Sequence, residues 1–88
     1  MKTKQGFRLR ELGGDYILIG ESAELVNFNH LITFNEAAAY LWQQVEGKEF
    51  DAETLTQLLL AEYEVSEEMA RRDAQATLED WERVGIVV

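Results

Sequence analysis

A chain of 88 residues is long enough for one domain with one modest core, because a chain this short buries only about two thirds of its unfolded surface. It has no cysteine, which excludes disulfides, thiolate catalysis and cysteine-held zinc, and no apolar run approaches the roughly 20 residues that span a bilayer. The net charge of −9 is unevenly placed: Lys2, Lys4, Arg8 and Arg10 precede every acid, so residues 11–88 hold all 17 acids and four of the eight bases, a balance of −13.

Residues 1–6 lack the apolar centre of a signal peptide and are expected to be a disordered N-terminus ahead of a single domain over residues 7–88. Residues 7–12, FRLREL, begin by alternating apolar and charged side chains and read as a strand. Gly13-Gly14 then suits a tight hairpin turn with positive φ. Residues 16–19, YILI, are apolar on both faces, as a central strand requires. After a polar connection at 20–24, residues 25–34 form a second extended stretch, broken by Asn27, Asn29 and His30, with a bulge or kink near Asn29-His30. The expected sheet is a three-stranded antiparallel meander with its third strand on an edge.

At residues 31–45, LITFNEAAAYLWQQV, strand passes into helix with almost no loop. Asn35 stands where an N-cap belongs, and Glu36 puts a negative charge at the positive end of the helix dipole. Ala38, Leu41, Trp42 and Val45 follow at i, i+3, i+4 and i+7, on one face. Gly47 ends this first helix. Asp51 caps a second helix that runs to about residue 63 with Leu55, Leu58, Leu59 and Tyr63 on its apolar stripe. Ser66 caps a third, with Glu67 and Glu68 in its first turn. Ala70, Ala74, Leu78 and Trp81 keep one face of that helix, and Gly85 stops it. Residues 86–88 form an apolar tail that either lies on the core or adds a short strand. The predicted core centres on Trp42 and gathers Tyr16, Leu18, Phe28, Ile32, Leu41, Val45, Leu55, Leu59, Leu78, Trp81 and Ile86.

The chemistry of catalysis is thin. His30 is the single histidine, with no nucleophile near it in sequence. Glu46, Glu49, Asp51 and Glu53 do not have the spacing of a calcium loop and read as a solvated turn and a helix cap. No glycine-rich phosphate loop is present. The chain is expected to be neither an enzyme nor a holder of a metal or cofactor, so titration with zinc, calcium or iron should show no stoichiometric tight site.

The resulting fold class is α+β, a three-stranded antiparallel meander followed by three α-helices, with the parts of a winged helix-turn-helix. Many such domains bind DNA through the third helix. Here residues 66–84 carry six acids against three arginines, a charge that a phosphate groove repels. A DNA-binding regulator is therefore the weakest of the functional readings.

FRLRELGGDYILI, LITFNEAAAYLW, the acidic EGKEFDAETLTQLLLAEYEV and SEEMARRDAQATLEDWERVGIV, in this order and spacing, resemble the PqqD-like family over residues 7–87. The most specific parts are the N-E-x-A-x-x-L-W junction at 35–42 and the ending through Asp73, Leu78 and Gly85-Ile86. The resemblance implies a recognition element, without catalytic residues of its own, for ribosomally made peptides. It would bind the leader of a precursor peptide and present it to a radical S-adenosylmethionine or other peptide-modifying enzyme. The leader would add as a strand to the third strand, with side chains entering a groove against the third helix. On that reading the peptide-binding residues are Val26, Phe28, Leu31 and Ile32 on the strand and Ala70, Asp73, Ala74, Thr77 and Trp81 on the helix. No cofactor, nucleic acid or membrane is expected, and the chain is expected to be a cytoplasmic monomer or weak homodimer. The alternative class is a protein–protein adaptor or dimerisation module with no leader peptide.

Overall fold

The structure, a computed structural model, describes residues 1–20 and 32–88. Three strands, β1 (Phe7–Leu12), β2 (Asp15–Gly20) and β3 (Ile32–Phe34), precede three helices, α1 (Glu36–Val45), α2 (Ala52–Glu62) and α3 (Glu67–Val84). The sheet is antiparallel in the order β1-β2-β3. The α+β class and the strand-then-helix order agree with the sequence.

The hairpin closes through Gly13-Gly14, with Leu12 paired to Asp15. Both glycines have positive φ, 61° and 89°, as a two-residue type I′ turn requires. A Cβ at either position would meet nothing within 4 Å, so the cost of a side chain is purely conformational. Gly13→Val and Gly14→Val are each expected to lose about 1–2 kcal/mol. Unchanged thermal midpoints in both variants would rule out this turn.

Register places Phe7, Leu9, Tyr16, Leu18, Ile32 and Phe34 on one face of the sheet. Leu18, in the central strand, is fully buried, while Ile17 and Ile19 on the other face are half-buried. The helices cover the first face. Each opens on the cap anticipated for it: Asn35 Oδ1 accepts from Ala38 N at 2.7 Å, Asp51 Oδ1 from Thr54 N at 2.9 Å, and Ser66 Oγ from Met69 N at 3.1 Å. Thr54 returns the favour at α2, its hydroxyl accepting from Asp51 N at 3.3 Å. α3 ends in a Schellman turn: Gly85, at φ 82°, donates to Glu82 O at 3.2 Å, and Ile86 N donates to Trp81 O at 3.1 Å.

The cap at Asp51 carries a pH dependence. Its carboxyl is held below the ordinary value of 3.8, first by the backbone N–H of Thr54 and then by that residue's hydroxyl. The unfolded chain takes up this proton more readily than the folded one. The contribution is therefore complete above the ordinary value and is lost as pH falls through the lowered one. Asp51→Asn keeps a capping acceptor and removes the titration. It is expected to flatten part of the acid decline when urea midpoints are compared from about pH 5 to about pH 2.

The core is an aromatic cluster. Trp42 is wholly buried and meets Trp81 edge to face at 5.3 Å, with Phe34 at 5.8 Å and Phe7 at 6.5 Å. Phe34 stacks on Trp81 at 5.8 Å, and Phe50 abuts Trp81 at 6.1 Å. Most of the predicted core is buried here. Tyr16 and Ile32 are only partly buried and pack against it, and Phe28 lies outside the described residues. Phe7, Phe34 and Phe50 join the core without having been anticipated. On α1 it is Ala39 that enters the core, while Ala38 is partly buried beside it.

The N-terminus departs from its expected fraying. Lys2 and Val88 exchange backbone hydrogen bonds at 2.9 and 2.8 Å, and Lys4 N donates to Ile86 O at 2.8 Å. Thr3 is buried, and its hydroxyl accepts from Gly47 N at 3.1 Å just past the end of α1. The two chain ends satisfy each other's backbone groups, which a composition such as KTK does not reveal. The apolar tail thus does both things proposed for it: Ile86 is buried in the core and Val87 bridges to Thr3.

Candidate functional site

β3 is the last strand of the sheet and pairs with β2 alone among the described residues. An edge strand leaves backbone N–H and C=O groups that a further strand can use. Phe34 anchors β3 to the core through its two tryptophan contacts, and Asn35 immediately starts α1. The strand is therefore held at a set distance from α3.

Between β3 and the C-terminal half of α3 lies a groove of about 280 Å³. Phe34 and Trp81 form its floor, and Ile32, Ala38 and Val84 supply apolar walls. Thr33, Asn35 and Thr77 line it with small polar groups, and Asp80 and Arg83, an ion pair one turn apart, stand at its rim. Val84 is 38% exposed, so part of its side chain is open to the groove. The arrangement suits apolar side chains of an extended segment, with polar partners at the margins.

Of the strand and helix residues proposed from sequence, Ile32, Thr77 and Trp81 come together here. Val26, Phe28 and Leu31 lie outside the described residues. Asp73 is exposed but does not line the groove. Ala70 and Ala74 are fully buried, so they offer no surface to a ligand in this structure. α3 packs closely on α2, and its N-terminal alanines belong to that packed interior. The groove uses the next turns instead, at Thr77, Trp81 and Val84, the i, i+4, i+7 continuation of the same face. Phe34, Asn35 and Ala38 also line the groove, and the sequence does not single them out because strand end, cap and helix face already account for them.

Among the described residues no group of three or more His, Asp or Glu side chains is placed to hold a metal ion, and no helix is long and apolar enough to cross a membrane. Arg71 bridges Glu53 of α2 at 2.6 Å and Glu67 of α3 at 2.7 Å, at half-exposed positions, where such pairs contribute little.

The family model described as coenzyme PQQ synthesis protein D (PqqD) matches residues 10–87. The chain belongs to the PqqD family. No curated protein sequence matches it. Among solved structures, TbiB1 in complex with the TbiA(beta) leader peptide is similar to this PqqD-family chain, with a TM-score of 0.74. The likeness covers 99% of this chain and 94% of TbiB1 at 17% identity, which establishes a shared fold.

Proposed function

We propose that this PqqD-family chain is a non-catalytic recognition element that binds the leader of a ribosomally made precursor peptide and presents it to a peptide-modifying enzyme. The observation that carries the proposal is the groove between β3 and α3, with Phe34, Trp81, Ile32, Ala38 and Val84 as its apolar lining and bounded by a strand that pairs on one side only among the described residues. Family membership supports it, as does likeness in fold to a protein solved with a leader peptide bound. The leader adds beside β3, and its alternate side chains enter the groove. The receiving enzyme is a radical S-adenosylmethionine or other peptide-modifying enzyme. Affinity in the micromolar range is expected, because a flexible peptide loses entropy when it orders.

The test is an amide chemical-shift titration of the full chain with the leader of a precursor peptide encoded beside its gene. Shifts gathered on residues 32–35 and 77–84 are expected. With a net charge of −9 on the chain, basic residues in the peptide add an attraction that fades with salt, while the strand pairing persists. Shifts confined to α2, or none at millimolar peptide, would discard the proposal in favour of an adaptor that binds no leader.

A further inference from the structure

A second cavity, of about 300 Å³, opens between the hairpin, α1 and the C-terminal end of α2. Three tyrosines line it, one from each of these elements: Tyr16, Tyr40 and Tyr63. Tyr40 and Tyr63 meet edge to face at 6.1 Å with an interplanar angle of 89°. All three rings are half-buried against the core. Around them stand the exposed carboxylates of Glu11, Glu36 and Glu62. No lysine or arginine lines the cavity, and none of the three glutamates has an ion-pair partner among the described residues. The contrast with Glu53, Glu67 and Asp80, each matched to an arginine, is direct. The carboxylates raise the cost of ionising the phenols: Glu11 pushes the Tyr16 hydroxyl upward, and Tyr63 is pushed up by burial first and then by Glu36 and Glu62.

Acidic side chains alone are an ordinary solvated surface. Three converging aromatic rings in a concave setting are different, since a ring face attracts a cation and a nearby carboxylate accepts its hydrogen bonds. We infer that this tyrosine–glutamate pocket receives an arginine side chain displayed by a partner protein. The guanidinium fits better than an ammonium because it is planar, stacks on an aromatic ring and carries its donors in a fork suited to carboxylates. Tyrosine and arginine are also the residue types on which interface energy concentrates.

The source is a partner protein rather than the peptide proposed for the groove. Pocket and groove share no lining residue. A strand added beside β3 would lie about 10 Å from β2 and further still from β1, whereas the pocket is walled by Tyr16 of β2 and Glu11 of β1. The chain can therefore hold an extended segment at one site and dock a basic surface at the other. The pocket's assignment does not depend on what fills the groove.

The test uses isotopically labelled full-length chain and a capped Gly-Arg-Gly peptide as probe, with its citrulline counterpart as the uncharged control. Saturable shifts are expected on residues 36–40 and 62–63 and on the Tyr40 and Tyr63 rings, with affinity on the order of millimolar for so small a probe, and none with citrulline. Glu36→Gln and Glu62→Gln, at exposed positions, are each expected to weaken binding about two- to five-fold, with amide spectra elsewhere unchanged. Equal shifts with the citrulline peptide, wild-type affinity in the double glutamine variant, or no saturable shift would overturn the assignment. Shifts gathered on residues 77–84 would do the same, by putting the cation in the groove.

Discussion

Replacing Trp42 with alanine is expected to remove about 3–5 kcal/mol of stability. That is a large part of what a domain of this size possesses. The side chain is wholly buried and contacts three other rings, which in turn reach Phe50 through Trp81. Its removal leaves a cavity at the junction of sheet, α1 and α3 that close-packed neighbours cannot collapse to fill. Trp42→Phe is a sharper companion. It keeps a ring in place and deletes the indole N–H, which is buried without a hydrogen-bond partner among the described residues. A donor in that condition is itself a liability, so the phenylalanine variant should lose clearly less than the alanine variant. Urea denaturation of the three proteins measures both steps. An unchanged midpoint for Trp42→Ala would place the tryptophan outside the core. Equal losses for the two variants would show that the indole's size, not its ring character, decides the packing.

The second large effect concerns binding. Thr77 lines the groove and is half-buried on α3. Thr77→Phe projects a ring into the 280 Å³ between α3 and β3, while its helix propensity stays close to that of threonine. Leader binding is expected to weaken ten-fold or more, a loss of at least about 1.4 kcal/mol, with the unfolding midpoint near that of the parent. The comparison that makes this informative is Asp73→Ala, at an exposed α3 position outside the groove, which is expected to change affinity by less than about two-fold. If Asp73→Ala were the more damaging change, the binding face of α3 would lie on the earlier turns around Ala70, Asp73 and Ala74. Isothermal titration of both variants with one leader peptide distinguishes the two cases.

Features that depend on a few neighbouring residues were legible in the sequence. Asn35, Asp51 and Ser66 cap helices because a short polar side chain reaches a backbone N–H two or three residues on, wherever the helix later packs. Gly13, Gly14 and Gly85 take positive φ because an L side chain resists it. The face of α3 through Ala70, Ala74, Leu78 and Trp81 follows from the helical repeat alone. Family resemblance, carried by ordered motifs across most of the chain, agrees with the family match over residues 10–87.

Which part of each face meets what was not legible. Ala70 and Trp81 belong to the same helical stripe, yet one is sealed in the interior and the other floors the groove. Periodicity carries angle around the helix but not position along a partner. Phe50 reads as part of an acidic turn until Trp81 is brought beside it, and residues 2–4 read as a loose end until 86–88 supply their hydrogen bonds. Tyr16 and Tyr63 stand 47 positions apart, with Tyr40 between them, and the three gather only because the hairpin, α1 and α2 converge. The sequence by itself determined caps, turns, element order and helix faces, since these rest on backbone geometry within a turn or two. Only the tertiary structure decided the groove, the tyrosine pocket and the joining of the chain ends, because each depends on distances between segments remote in the chain.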